Sequence, residues 1–173
     1  HADDGFTFNN SCVHGYLEGI QWVYSLGGVN IHTKTKHIFY MSCSYGHLDV
    51  AQWLYSLGGI NIHANNEQAF CDSCIRGHLE IAKWIYSLGG INIHAENNSA
   101  FRVSYQTGRI EMAKWLYSLD GIDIHADQEF VSSCKNRQLE NAKWLYSLCG
   151  INIHTNNEEA FRYSCENGQL EIA

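Results

Sequence analysis

No proline occurs among the 173 residues. Breaks between elements must therefore come from glycine, asparagine and aspartate, which tolerate the backbone conformations that turns require. Lys and Arg are scarce, 11 against 18 Asp and Glu, for a formal net charge of −7. They are scattered, so there is no basic face to follow a nucleic-acid backbone. No run of 18 apolar residues is present, which leaves no candidate membrane-spanning helix. No charged segment followed by an apolar one marks the start, so no secretory signal is visible. Also missing are a glycine-rich phosphate loop, a nucleophile elbow and a paired metal motif. The expectation is a protein with no cofactor, no metal, no nucleic-acid partner, no membrane partner and no enzymatic activity.

What the chain has is a repeat. Trp22, Trp53, Trp84 and Trp115 fall 31 residues apart, and Trp144 follows after 29. His1, His32, His63, His94 and His125 keep the same spacing, with His154 another 29 on. The copies run 1–31, 32–62, 63–93, 94–124 and 125–153, with a partial copy at 154–173. In the third copy Asn66 is placed to cap a first helix, with Glu67 in its first turn against the helix dipole. That helix passes through Gln68, Phe70 and Cys74 and breaks at Gly77. A second helix runs from Leu79 to Leu88 and ends at Gly89 and Gly90, since glycine accepts the left-handed conformation of a helix C-terminus. Ile91, Asn92 and Ile93 alternate apolar and polar, as an extended segment does.

In the second helix Glu80, Lys83 and Ser87 form one polar stripe. The remainder is apolar, too wide a surface for one helix pair to cover. Stacked copies cover it, burying Leu79, Ala82, Ile85 and Tyr86. A 45% hydrophobic composition supplies the material for such a core.

The segment Gly77-His78-Leu79-Glu80-Ile81-Ala82-Lys83-Trp84-Ile85 resembles the second-helix signature of ankyrin repeats, commonly G-H-L-E-V-V-K-L-L. Ser73-Cys74 falls where ankyrin repeats carry Ala-Ala, and Gly90-Ile91-Asn92 near their G-A-D-V-N. The usual T-P-L-H start of the first helix is replaced by Asn66-Glu67 and Ala69-Phe70, and the unit is 31 residues rather than 33, so a shortened or altered finger is expected. The wording N-I-H-A-N-N-E-x-A-F with A-K-W-L-Y-S-L is similar to the divergent ankyrin arrays of giant DNA viruses of protists. The resemblance implies an all-α, ankyrin-type repeat solenoid of helix-turn-helix units with short extended fingers, forming a single array over 1–173. A tetratricopeptide-type stack is the alternative, with a period of about 34 and no finger.

Several recurring residues invite a chemical reading. The register histidines form a ladder, but packed helices lie about 8–10 Å apart, whereas zinc needs ligands about 2 Å from one ion. Hydrogen bonding of each imidazole to backbone between adjacent fingers is the simpler expectation. Cys12, Cys43, Cys74, Cys134 and Cys165 share one position, filled by Tyr105 in the fourth copy. A cysteine there acts as a small buried hydrophobe, in keeping with a reducing, intracellular compartment rather than a disulfide framework. Cys71 and Cys74 form a lone C-x-x-C, yet inside a repeat helix rather than at a helix start after a strand. Cys149 replaces a glycine and is expected at the surface. Glu18, Asp49, Glu80, Glu111, Glu140 and Glu171 recur in every copy, which suits solvation or pairing with Lys83 and its equivalents rather than one catalytic acid. The Trp and Tyr residues sit at core spacing.

Differences between copies carry the functional signal. Phe70, Ser73, Trp84, Tyr86, Ser87 and Leu88 are matched in every complete copy. The positions of Gln68, Cys71, Asp72 and Ile75 are not, and their spacing is one face of the first helix. That stripe reads His37, Tyr40, Met41, Ser44 in the second copy and Ser99, Arg102, Val103, Gln106 in the fourth. It continues as Val131, Ser132, Lys135 in the fifth and Glu159, Arg162, Tyr163, Glu166 in the sixth. A constant scaffold with a variable stripe containing aromatics and Arg is expected to bind a partner protein, helped by the finger tips. A structural or assembly subunit of a larger particle is the competing reading. So is the recognition part of an adaptor, such as an F-box ubiquitin ligase adaptor, whose effector lies outside this chain.

Two local expectations follow. The fifth copy lacks two residues between His125 and Phe130 and has Arg137 for the inter-helix glycine, so it should be irregular yet keep both helices. The ends look uncapped: Phe6 occupies a stripe position, Gly19-Ile20 replaces an apolar residue followed by Ala, and Leu145 and Tyr146 should lack cover. Further repeats or another chain are expected there.

Overall fold

The computed structural model describes residues 10–27, 35–119, 122, 126–148, 155–166 and 168. Its helices in chain order are α1 (Leu17–Ser25), α2 (Thr35–Tyr45), α3 (Leu48–Ser56), α4 (Ala64–Arg76) and α5 (Leu79–Ser87), then α6 (Ala95–Gln106), α7 (Ile110–Leu119), α8 (Ala126–Lys135), α9 (Leu139–Leu148) and α10 (Thr155–Glu166). Residues 10–13 are also helical. Even-numbered helices are the first helices of their copies and odd-numbered ones the second. There is no β-strand among the described residues. The chain forms two compact units, 1–100 and 101–173, whose boundary falls inside α6.

In the first unit α2 packs on α3 and α4, and α4 on α5. The second-helix residues that go inside are Val50, Ala51 and Leu54 in α3 and Ile81, Ala82 and Ile85 in α5. Ala82 and Ile85 match the sequence expectation. Leu79 and Tyr86 are only half-buried; Ile81 takes the inward position because 81, 82 and 85 form one narrow face over the first helices. Glu80, Lys83 and Ser87 stay exposed as expected. In the first copy Ile20 is fully buried where later copies carry Ala. Gly19 beside it leaves room for the ring of Tyr16, which an added Cβ would meet at 2.2 Å.

Each first helix carries a buried serine. Ser42 donates to Ile38 O at 2.9 Å, Ser73 to Ala69 O at 2.7 Å, Ser133 to Glu129 O at 2.8 Å and Ser164 to Ala160 O at 2.8 Å. A hydroxyl satisfied within its own helix can be buried without desolvation cost while staying small enough for close helix packing.

In the second unit α8 packs on α9 and α10. Tyr105 replaces the usual cysteine and brings a hydroxyl into the core. Its partner is Ser133 Oγ. Asn141, 1% exposed, stands where α3, α5 and α7 carry Val50, Ile81 and Met112. Its amide donates to Tyr105 O at 2.6 Å. The two polar intrusions thus satisfy each other's surroundings rather than leaving orphaned groups. The fifth copy keeps both helices, α8 and α9, as expected; His125 lies outside the described residues. Leu145 is buried after all, covered within its own unit, while Tyr146 is 60% exposed. Phe6 and Cys149 lie outside the described residues.

The asparagines of the finger turn it into the next first helix. Asn61 Oδ1 accepts from His63 N at 3.0 Å and Asn92 Oδ1 from His94 N at 3.0 Å. These side chains bend the backbone two residues on, as Asx-turns do. Asn66 is not a cap. Asn65, Asn66 and Glu67 have φ of 51°, 62° and 64°, a left-handed turn at the start of α4, and Glu96, Asn97 and Asn98 repeat it in α6 with 53°, 56° and 59°. Asparagine tolerates this conformation better than most residues. Glu67 is drawn inside, with 10% of its side chain exposed, and accepts from His63 Nδ1 at 3.1 Å. His63 thus serves its own turn, and His94 Nδ1 likewise meets Asn98 Oδ1 at 2.7 Å, while His1, His32, His125 and His154 lie outside the described residues.

The bond between copies comes from a different histidine. His47 Nε2 donates to Val13 O at 2.7 Å and His78 Nε2 to Ser44 O at 3.0 Å, each reaching back 34 residues. The accepting carbonyls lie at first-helix C-termini, where backbone acceptors lack an intrahelical partner. The preceding glycine makes the reach possible. Gly46 has φ +90°, and a Cβ on it would lie 2.7 Å from His78 Cε1. In the fifth copy Gln138 Nε2 makes the same bond to Gln106 O at 2.6 Å.

Gly46→Ala should cost about 2–3 kcal/mol, combining the left-handed penalty of about 1–2 kcal/mol with loss of the His78 bond, worth about 1 kcal/mol. Urea unfolding of the single and His78→Ala double variants checks this, because the two losses should overlap rather than add. Arg137 holds φ +60° without being glycine. Arg137→Gly should therefore raise stability by about 0.5–1 kcal/mol, read as a shift of the urea midpoint at unchanged slope.

Candidate functional site

The variable stripe lies on the first helices, and its members differ in access. His37, Arg102, Gln106, Lys135, Arg162 and Glu166 are exposed. Tyr40, Met41, Gln68, Asp72, Ile75 and Ser99 are half-buried, as are Val103, Val131, Ser132, Glu159 and Tyr163. Ser44 and Cys71 are buried, at 3% and 7% exposure, and so belong to packing between copies rather than to an open face. The physical reason is helix spacing: where two first helices touch, the stripe edges facing the neighbour become interior.

In the first unit the stripe is tied across copies. The Tyr40 hydroxyl donates to Asp72 Oδ2, and Ser44 Oγ donates to the same oxygen at 3.3 Å. The hydrogen bond to Asp72, then burial, push the Tyr40 phenol above its ordinary value. It remains a proton donor at neutral pH and offers no general base. Cys71 hydrogen-bonds Ser99 of the next copy. Beside this cluster a cavity of about 490 Å³ opens between α2, α4 and the turn at 60–64. In the second unit Lys135 Nζ lies 5.3 Å from the Tyr163 ring centre and Arg162 Cζ 5.7 Å from it, so two cations approach one aromatic ring, an attractive arrangement for a ring quadrupole.

The second helices carry an aromatic series. Tyr24 meets Trp53 edge-on at 5.5 Å, Tyr55 meets Trp84 at 5.8 Å, and in the second unit Tyr117 meets Trp144 at 5.6 Å. These Trp are half-buried packing residues; Trp22 is 65% exposed. The recurring acids pair as expected with the lysine three residues on, Glu80 with Lys83 at 3.3 Å, Glu111 with Lys114 at 3.1 Å and Glu140 with Lys143 at 3.6 Å. These are exposed pairs of small energetic weight.

Among the described residues no group of three or more His, Cys, Asp or Glu is placed to hold a metal ion. Nor is any helix among them long and apolar enough to cross a membrane. Cys71 and Cys74 are both buried in α4, and burial pushes the Cys71 thiol up to about 11 and Cys74 well above its ordinary value. A redox C-x-x-C needs the opposite shift. Cys12, Cys43 and Cys134 are buried as expected, whereas Cys165 is exposed; the second-helix residues of its own copy lie outside the described ones.

The family model for ankyrin repeats in three copies matches residues 38–128, more than half of the chain. The chain belongs to the ankyrin-repeat family. Among solved structures it is similar to the human ASB11 ankyrin repeat domain, with a TM-score of 0.59 and 16% identity over 93% of this chain and 83% of that one. At that identity the fold is what the two share. No curated protein matches the chain. Ankyrin repeats are in general protein–protein interaction modules and not an enzyme family.

In the ankyrin frame, His47 and His78 of the Gly-His pair are positioning residues that sequence reading passed over. The signal was present: Gly46-His47 and Gly77-His78 recur together, and only a glycine leaves room for the next imidazole. Cys12 and Cys43 lead to a test. Burial pushes each thiol from 9.0 to about 12. Between those values the unfolded chain releases protons that the folded chain retains, so stability should fall as pH rises from about 9 to about 12, by up to about 1.4 kcal/mol per pH unit for each thiol. Unfolding curves at pH 8, 9.5 and 10.5 check this. At pH 8 a thiol reagent should modify Cys165 rapidly and leave Cys12, Cys43, Cys71, Cys74 and Cys134 protected until urea is added, as peptide mapping would show.

Proposed function

We propose that this chain is a recognition module that binds a partner protein through the exposed members of its first-helix stripe. The observation that carries the reading is the separation of constant and variable positions. Phe39, Phe70, Phe101 and Phe130 are buried and identical in type, and Ser42, Ser73, Ser104 and Ser133 likewise. Interleaved with them, the exposed positions are His37, Arg102, Gln106, Lys135, Arg162 and Glu166. Packing demands the first set, whereas the second set is open to solvent. Surfaces that specify a partner combine aromatic and Arg anchors with varied polar groups. The Lys135, Arg162 and Tyr163 cluster supplies such anchors in one unit, and Tyr40 beside the cavity does so in the other.

The wording of the repeat supports a narrower reading as an array of giant-virus type, and the buried free cysteines support a reducing compartment. The test is pull-down and cross-linking from a source lysate with the 173-residue chain and a variant carrying Arg102→Glu, Arg162→Glu and Tyr163→Ala. All three side chains are exposed or half-buried, so folding should be kept and can be checked by circular dichroism. One partner captured by the wild type should be lost, with affinity reduced at least tenfold. A partner held equally by both, or a defect confined to assembly of a larger particle, would turn the reading toward a structural role.

A further inference from the structure

We infer that the cavity between α2, α4 and the 60–64 turn is a specificity pocket for an acidic side chain next to a large apolar one, in an extended segment of the partner. This rests on the partner-binding reading above and names the chemistry that one part of the surface selects. The cavity holds about 490 Å³, within the range of about 300–1,000 Å³ typical of pockets that enclose small ligands. That is room for a few side chains. Its floor is apolar: Phe39, Ile62 and Ala69 line it and are buried themselves. A large apolar side chain entering there leaves water on both sides of the contact.

The polar lining decides the neighbour. Asn65 Nδ2 donates to Gln68 Oε1 at 3.1 Å, Asn61 Oδ1 accepts from His63 N, and the Tyr40 hydroxyl is held by Asp72. These groups are engaged within the protein. Lys36 and His37 remain at the rim, both exposed and with no ion pair to a described carboxylate. Among the described residues no Asp or Glu lines the cavity, in a chain whose formal net charge is −7, and the Asp72 carboxylate behind Tyr40 already accepts from Tyr40 and Ser44. The Lys36 ammonium is the formal charge that the rim leaves to a partner, and a carboxylate is its complement. A phosphorylated residue would better suit the fork of an arginine cluster, and no arginine is present among the described lining residues. A terminal carboxylate is captured by backbone amides in a nest, whereas here the cation is the Lys36 side chain on an exposed helix face. The structure thus favours an internal Asp or Glu.

The experiment pans a display library of random 12-residue peptides against the 173-residue chain and remeasures the winners as N-acetylated, C-amidated synthetic peptides. Enriched peptides should place Asp or Glu beside Phe, Trp or Leu. The double variant Lys36→Glu, His37→Glu should weaken them at least tenfold, while Lys83→Gln, on the exposed second-helix face, leaves them unchanged. Because both substituted side chains are exposed, folding should survive. As an independent readout, amide NMR shifts of the wild type should move at Phe39, Ile62 and Gln68 on titration with a selected peptide. Peptides that bind without the acid–apolar pair, that need a free C-terminus or a phosphate, that keep their affinity in the double variant or that leave those three residues unmoved overturn the pocket. If such peptides are instead lost on Arg162→Glu with Tyr163→Ala, the partner-binding reading stands and only the pocket falls. A library without any binder sinks both.

Discussion

The second helices are nine or ten residues long, a length at which an isolated helix is marginal in water. They form because the copies on either side cover them. Coverage demands close approach, and close approach demands small or internally satisfied residues at the contact. This is why a serine bonded to its own helix and a cysteine or alanine recur where larger groups would hold the copies apart. It is also why Gly19 stands where the Tyr16 ring comes close, and why Tyr105 enters with Ser133 and Asn141 as partners.

Apolar contact alone does not set the register between copies. The imidazole of His47 or His78 fixes it by reaching the last turn of the preceding first helix, over a glycine whose positive φ forms the inter-helix turn. One residue thus ends a helix and the next one satisfies a carbonyl of the previous copy. Gln138 shows that an amide of similar reach performs the same task. Arg137 shows that the left-handed turn persists even where its side chain makes it strained.

With the scaffold held in this way, the first-helix stripe is partly relieved of structural duty. The relief is incomplete: Ser44, Cys71 and the Tyr40–Asp72 pair link copies, while His37, Arg102 and Arg162 face solvent. The proposed recognition surface draws on that remainder. A surface assembled from one or two free residues per copy can change its partner without disturbing the core, because the core is specified by other positions.

The sequence by itself determined the architecture. The period, the Gly-bounded second helices, the buried Phe, Ser and Cys positions and the lysine–glutamate pairs all follow from spacing, because helical periodicity and burial are local rules repeated in every copy. Which stripe residues are free was decided only by the tertiary structure, since Ser44 and Gln106 occupy the same stripe position and differ in what packs beside them. The start of the first helix was misjudged for a related reason. Asn66 and Glu67 carry an N-cap signature, but the interior offered Glu67 the imidazole of His63, and a left-handed turn bringing carboxylate to imidazole replaced the cap. The cavity beside Tyr40 was illegible as well, because it exists only between side chains about 30 residues apart that the stacking of copies brings to one place.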